Sequence, residues 1–123
     1  MALDEAQLLW DDLTAAQRAM ALPLMSLLKE HTRNNPISSA DLAAHFRLAS
    51  SGPIRAVVVY LRVAPDIEGM PCSLNSGGYW WSNDPVDIRD TYRHVEDRRR
   101  ALGVHCRGIM NKYNKVAQLR MAL

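Results

Sequence analysis

Apolar residues recur at helical spacing over most of this chain, and punctuation residues divide it into separate elements. Leu3, Ala6, Leu9 and Trp10 share one side of a short helix within the first dozen residues. Thr14-Ala-Ala-Gln17 is a capping-box pattern and predicts a second helix start, with Ala19, Leu22, Met25 and Leu28 as its buried stripe. Pro23 either kinks that helix or opens a new one at its first position, and Asn34-Asn35-Pro36 stops the element. Ser38-Ser39 cap a helix of about two turns from Ala40 to Phe46, with Leu42, Ala43 and Phe46 facing inward. Arg47 to Gly52 is a turn. Pro53 begins the next helix, whose stripe is Ile54, Val58 and Leu61, and Pro65 ends it.

Beyond Pro65 the period changes. Ile67 to Met70 and Tyr79 to Ser82 are expected strands, joined by the turn-rich stretch Pro71 to Gly78. Tyr79, Trp80 and Trp81 alternate between the two faces of such a strand, one toward the core and the other partly exposed. If exposed, Trp80 would be free to stack on a base or anchor a protein. Asp84-Pro85, with Asp87 in the first turn, is a clear helix start. From there Ile88, Tyr92, Val95, Arg99, Leu102, Cys106, Ile109, Tyr113, Val116, Leu119 and Leu123 recur at steps of four and three, a heptad seam interrupted by Arg99. Gly103 and Gly108 are the places where this helix would break. If continuous it is about 58 Å long at 1.5 Å per residue, more than a domain of this size covers. The first half is therefore expected to pack on the domain and the second half to pair with another chain.

The order helix, turn, helix, hairpin carries a resemblance. Ser39-Ala-Asp-Leu-Ala-Ala-His-Phe46, Ser50-Ser-Gly-Pro-Ile-Arg55 and Gly78-Tyr-Trp-Trp81 resemble the positioning helix, recognition helix and returning wing strand of winged helix-turn-helix domains in small bacterial, phage and prophage regulators. The helix opened by Ser82-Asn-Asp-Pro85 resembles the one that follows the wing in phage-type regulators, so the likeness covers about 70 residues. It implies a mainly α fold with a small β-hairpin wing: a winged helix-turn-helix domain with an N-terminal helical extension over residues 1–83, then a long basic C-terminal helix over 84–123. It also implies that residues from Ser50 to Arg62 enter the major groove of double-stranded DNA while the wing loop lies over the backbone or minor groove. Ser50, Ser51, Arg55, Val59 and Arg62 are then the candidate DNA contacts, the arginines for guanine edges or phosphates, the serines for phosphates and Val59 for a thymine methyl. The wing loop has neither Lys nor Arg, and the outward face of the second helix has neither Asn nor Gln.

Charge sharpens the picture. Residues 1–83 hold 6 Lys/Arg against 8 Asp/Glu, and residues 84–123 hold 9 against 5. From Arg98 onward there are seven cations and no acid, so Arg98, Arg99 and Arg100 are added to the candidate DNA contacts. Nucleic acid or an acidic partner would answer such a stripe. At 123 residues and 48% hydrophobic, the chain has material for a single modest core. No apolar run nears the length of a membrane span. The absence of a basic leader, with two cysteines far apart in sequence, leads to the expectation of a cytoplasmic protein with reduced thiols, nucleoid-associated if it binds DNA. Cys72, Cys106, His94 and His105 lack metal-ligand spacing, and no nucleophile, paired-carboxylate or phosphate-loop motif stands in a credible context. Neither catalysis nor a metal or cofactor is expected.

Together these features predict a phage-type regulator of transcription or replication, acting by operator or origin occupancy. Its expected dimer interface is Ile88, Tyr92, Val95, Leu102, Ile109, Tyr113 and Val116. The alternative is a winged-helix scaffold binding a protein partner, as an adaptor or inhibitor, favoured by the apolar outward residues Ala56, Val59 and Tyr60. An RNA-associated module is a third reading.

Overall fold

The computed structural model describes the backbone of residues 2–122 and the side chains of residues 5–122. It is mainly helical, with a two-stranded antiparallel hairpin and a long C-terminal helix: α1 (Ala2–Asp12), α2 (Ala15–Leu28), α3 (Ser39–His45), α4 (Gly52–Val63), β1 (Met70–Ser73), β2 (Tyr79–Ser82) and α5 (Pro85–Ala122). Two compact units divide after Thr91, Met1–Thr91 and Tyr92–Leu123, so the expected boundary at 83/84 falls at the start of α5 and the division lies inside that helix.

Local chemistry sets most helix ends. Thr14 Oγ1 accepts from the Gln17 amide at 3.1 Å and Gln17 Oε1 accepts from the Thr14 amide at 2.8 Å, a complete capping box. Ser38 Oγ accepts from the Asp41 amide at 3.0 Å, and Asp84 Oδ1 from the Val86 amide at 2.9 Å. Arg18 closes the end of α1 by donating to the Trp10 and Asp11 carbonyls, both at 3.0 Å.

The stripe in α2 differs from the expected one. Met20, Ala21, Leu24 and Leu28 are buried, whereas Ala19 and Leu22 face water and Met25 is half-buried. A constant step of three drifts backward around a helix by about 60° each time, so only alternation with steps of four holds one face. Pro23 sits exposed within α2, which runs through it. The helix ends at Leu28, with Lys29 as its C-cap, well before Asn34. In α1 Ala6 is buried and Leu9 and Trp10 are half-buried; the side chain of Leu3 lies outside the described residues.

α4 is the central helix. Ile54, Val57, Val58 and Leu61 are buried against Leu24 and Leu28 of α2, Leu42 and Ala43 of α3, and Leu13 after α1, with Trp10 and Tyr60 rings 5.0 Å apart at the edge. Burying such side chains contributes about 1.5–3 kcal/mol each.

β1 begins at Met70 and includes Pro71, Cys72 and Ser73, all three buried, so it lies three residues later than the expected Ile67–Met70. The register sets Cys72 opposite Trp80 and Ser73 opposite Tyr79, leaving residues 74–78 as the loop. Pro71 is tolerated for a reason visible in its carbonyl, which accepts from Arg62 Nε at 2.9 Å. In a strand the nitrogen and carbonyl of one residue point the same way, so the missing N–H of Pro71 faces α4 and not β2. The next outward-facing amide, Ser73, donates to Thr91 Oγ1 at 3.2 Å. On the other side of the hairpin, Tyr79 and Ile37 exchange backbone bonds of 2.8 and 2.9 Å. Gly78, at φ +85°, makes that approach possible, since a Cβ there would stand 2.8 Å from Pro36 Cβ.

Trp80 is buried, 2% exposed, and its Nε1 donates to Asp87 Oδ2 at 3.2 Å. It is therefore a core residue, closed to base stacking or partner anchoring. Asp87 and Asp90 share Arg33, whose Nη1 lies 3.1 Å from Asp87 Oδ1 and 2.9 Å from Asp90 Oδ2. Burial pushes the Asp87 carboxyl up, but hydrogen bonds from Ser82, Trp80 and Arg33 outweigh it and hold the group below its ordinary value. The Arg33 hydrogen bond lowers Asp90 in the same direction.

Two outcomes are expected. Thr91, 1% exposed, is the partner of the Ser73 amide, so Thr91→Val leaves a buried donor unpaired at a cost of about 1–3 kcal/mol, while Thr91→Ser keeps the bond; urea-denaturation midpoints compare them. Carboxyls lowered on folding stabilise fully above their unfolded values near pH 3.9 and lose that contribution as pH falls through the folded values. Stability should thus fall in acid below about pH 4, and Arg33→Gln should flatten that fall in urea midpoints followed from about pH 7 to about pH 3.

Candidate functional site

The α3–α4 turn carries exposed Arg47 and Ser50 beside half-exposed Ser51. α3 ends with Phe46 as its C-cap and Arg47 in the left-handed region at φ +57°. The Arg47 amide donates to the Ala44 carbonyl at 3.1 Å and the Leu48 amide to the Ala43 carbonyl at 2.8 Å, which makes the turn a Schellman motif. That position favours glycine, and an L side chain there costs about 1–2 kcal/mol. Arg47 nevertheless occupies it and points into solvent.

α4 opens beside this turn. Ser51 is its N-cap in α-helical backbone geometry and makes no side-chain cap bond. The Ser51 carbonyl accepts from the Ile54 and Arg55 amides at 3.1 and 3.3 Å. Ser50 is exposed and Ser51 half-exposed, so their hydroxyls stand at a helix start where the helix dipole favours an anion, although Pro53 has no N–H to offer and Ser51 takes the Ile54 and Arg55 amides. Between α3 and this start lies an open groove of about 460 Å³ walled by Ala40, Ala43, Ala44, Leu48, Ser50 and Ser51.

The sequence-derived contacts divide among different roles. Arg55 and Ala56 are exposed on α4, and Val59 is 43% exposed one turn on. Arg62 is half-buried and serves the fold, donating to the Pro71 carbonyl and, through Nη2, to Ser73 Oγ at 2.9 Å. Its spacing on α4 matched an outward position, but β1 takes up its guanidinium. Arg98, Arg99 and Arg100 lie on α5 in the second unit and are exposed. Arg99 Nε donates to Glu96 Oε2 at 3.0 Å and Arg100 Nε stands 3.7 Å from Glu96 Oε1, so one carboxylate answers two of the three cations. The Arg99 hydrogen bond lowers the Glu96 carboxyl.

Sequence reading missed Arg47 as a surface cation, because it looked like the first residue of a turn. The signal available was its position directly after Phe46, where a helix C-terminus calls for a left-handed residue. The exposed side chain of His45 stands two residues before it. The hairpin loop 74–78 contains no cation. Cys72 is buried in β1, where burial pushes its thiol up, and Cys106 is exposed on α5. Among the described residues no three His, Cys, Asp or Glu side chains group as a metal site needs. No described helix is long and apolar enough to cross a membrane.

Arg47→Gly removes the left-handed cost and is expected to raise stability by about 0.5–1 kcal/mol, seen as a higher urea midpoint. A lower midpoint would mean that the Arg47 side chain holds the turn.

Comparison with protein-family models, curated proteins and solved structures finds no match to this chain.

Proposed function

We propose that the chain is a DNA-binding regulatory protein in which residues 37–82 act as a winged helix-turn-helix, with α4 as the helix that enters the major groove. The carrying observation is the start of α4: an exposed helix N-terminus without a side-chain cap, beside the Ser50 and Ser51 hydroxyls, with exposed Arg47 before it and Arg55 one turn inside. Phosphate meets that combination of helix dipole, hydroxyls and cations well. Arg55, in the first turn of α4, is the side chain for a guanine edge, and Val59 the apolar contact for a thymine methyl. The Ile37–Tyr79 bridge supports the reading further, since it fixes the hairpin beside the segment that leads into α3.

In this mechanism Arg62 is a positioning residue that holds the wing on α4. Arg98, Arg99 and Arg100 add to the positive field that draws a polyanion, reduced by their shared Glu96. Occupancy of an operator or origin, in the manner of phage and prophage regulators, requires no cofactor. A second reading, a winged-helix scaffold for a protein partner, is favoured by one specific observation: Ala56 and Val59 are exposed beside Arg55 while the hairpin loop has no cation to grip phosphate.

The two readings separate in a fluorescence-anisotropy titration with mixed-sequence duplex DNA at about 50 and 200 mM salt. DNA binding predicts a steep salt-dependent loss, with affinity lowered about tenfold or more by Arg55→Ala and also lowered by Arg47→Gly. A scaffold predicts no binding to the duplex at either salt.

A further inference from the structure

α5 carries an apolar seam that runs in water. Leu102, Ile109, Tyr113 and Val116 are each more than half exposed, and α5 continues unbroken through Gly103 and Gly108 to Ala122. We infer that this seam is the docking face for an acidic amphipathic helix of another protein, which pairs with the second unit as a coiled coil.

The period of the seam selects a helix as its occupant. Tyr92, Val95, Arg99, Leu102, Cys106, Ile109, Tyr113 and Val116 alternate steps of three and four, a repeat of 3.5 that winds slowly around a helix and tracks a second helix. A flat bilayer surface favours the straight 3.6 period and a wide bulky face, and this seam is narrow. DNA would answer the cations and leave the seam in water.

Charge selects an acidic one. At about 100° per residue, one flank of the seam holds Arg98 and Lys112 and the other holds Glu96, Gly103, Met110 and Ala117, while Arg93, Arg100 and Arg107 lie further round the helix, away from the seam. Glu96, turned to Arg99 and Arg100, is the acid beside them, and no acid follows Asp97. Flanking positions of a coiled coil choose the partner by opposite charge, so the matching helix carries Asp or Glu along the flank that meets Arg98 and Lys112.

Like charges weigh against a second copy. In a parallel pair the seam's Arg99 would meet its own counterpart. In an antiparallel pair the flank of Arg98 and Lys112 would face itself. Small residues along one border, Gly103 and Ala117, let a foreign helix approach closely.

The full chain is titrated with two synthetic helical peptides of about four heptads, alike in their Leu/Ile seam, one with Glu and one with Lys at the flanking positions. Anisotropy and sedimentation should give a one-to-one complex with the Glu peptide, at least about tenfold tighter than with the Lys peptide and weakened by added salt. The Leu102→Asn, Ile109→Asn double variant should lose that complex by about tenfold or more while keeping its helical circular dichroism and any affinity for duplex DNA. Equal binding of both peptides, or none of the Glu peptide, overturns the inference. So does a self-dimer at about 10 µM that the double variant disperses, which assigns the seam to a second copy. Anionic vesicles that bind the wild type and displace the Glu peptide would overturn it too, assigning the seam to a membrane surface.

Discussion

A two-stranded sheet has an open edge on both sides, and a backbone donor or acceptor buried there without a partner costs about 1–3 kcal/mol. In this chain three different elements supply partners to those edges. Arg62 of α4 donates to the Pro71 carbonyl, Thr91 of α5 accepts from the Ser73 amide, and Ile37 before α3 exchanges two bonds with Tyr79. The hairpin is thereby fixed to the helices through its own backbone. Trp80 adds a buried ring held by Asp87. Remove these partners and the hairpin has only its four paired positions to hold it.

That anchoring dictates how α4 is used. Its inner face builds the core, its C-terminal arginine holds the hairpin, and its first two turns carry the exposed side chains Arg55, Ala56 and Val59. The cations are divided accordingly. Arg62 is taken up inside the fold, while Arg55 and Arg47 stand in solvent near the uncapped start of the helix. Arg47 stands where a glycine would sit more easily. The second unit follows a different pattern, an apolar seam with one basic flank and no acid after Asp97.

Elements whose signals are local in sequence were legible. Thr14 with Gln17, Ser38, Pro53 and Asp84 mark helix starts by chemistry completed within three residues, and each helix begins within a residue of its mark. The continuity of α5 through two glycines also agrees with its seam. Where a partner arrives from far along the chain, the sequence alone was silent or misleading. Pro71 reads as a turn former, and only the distant guanidinium of Arg62 explains its place in a strand. Arg62 reads as a surface residue for the same reason. The stripe of α2 was displaced because a run of steps of three resembles a face over one turn and leaves it over three. Whether Trp80 faced water or core depended on Asp87, a residue of the next helix.

The anchored hairpin and the start of α4 are proposed as one presented surface for duplex DNA. Amide chemical-shift mapping of the labelled chain during titration with a mixed-sequence duplex tests this most directly. The expected result is that shifts gather on residues 47–59 and on the hairpin loop 74–78, while the buried amides of Val57, Val58 and Cys72 stay near their free positions. Shifts confined to residues 98–122, with α4 unmoved, would contradict it and make the basic helix the binder.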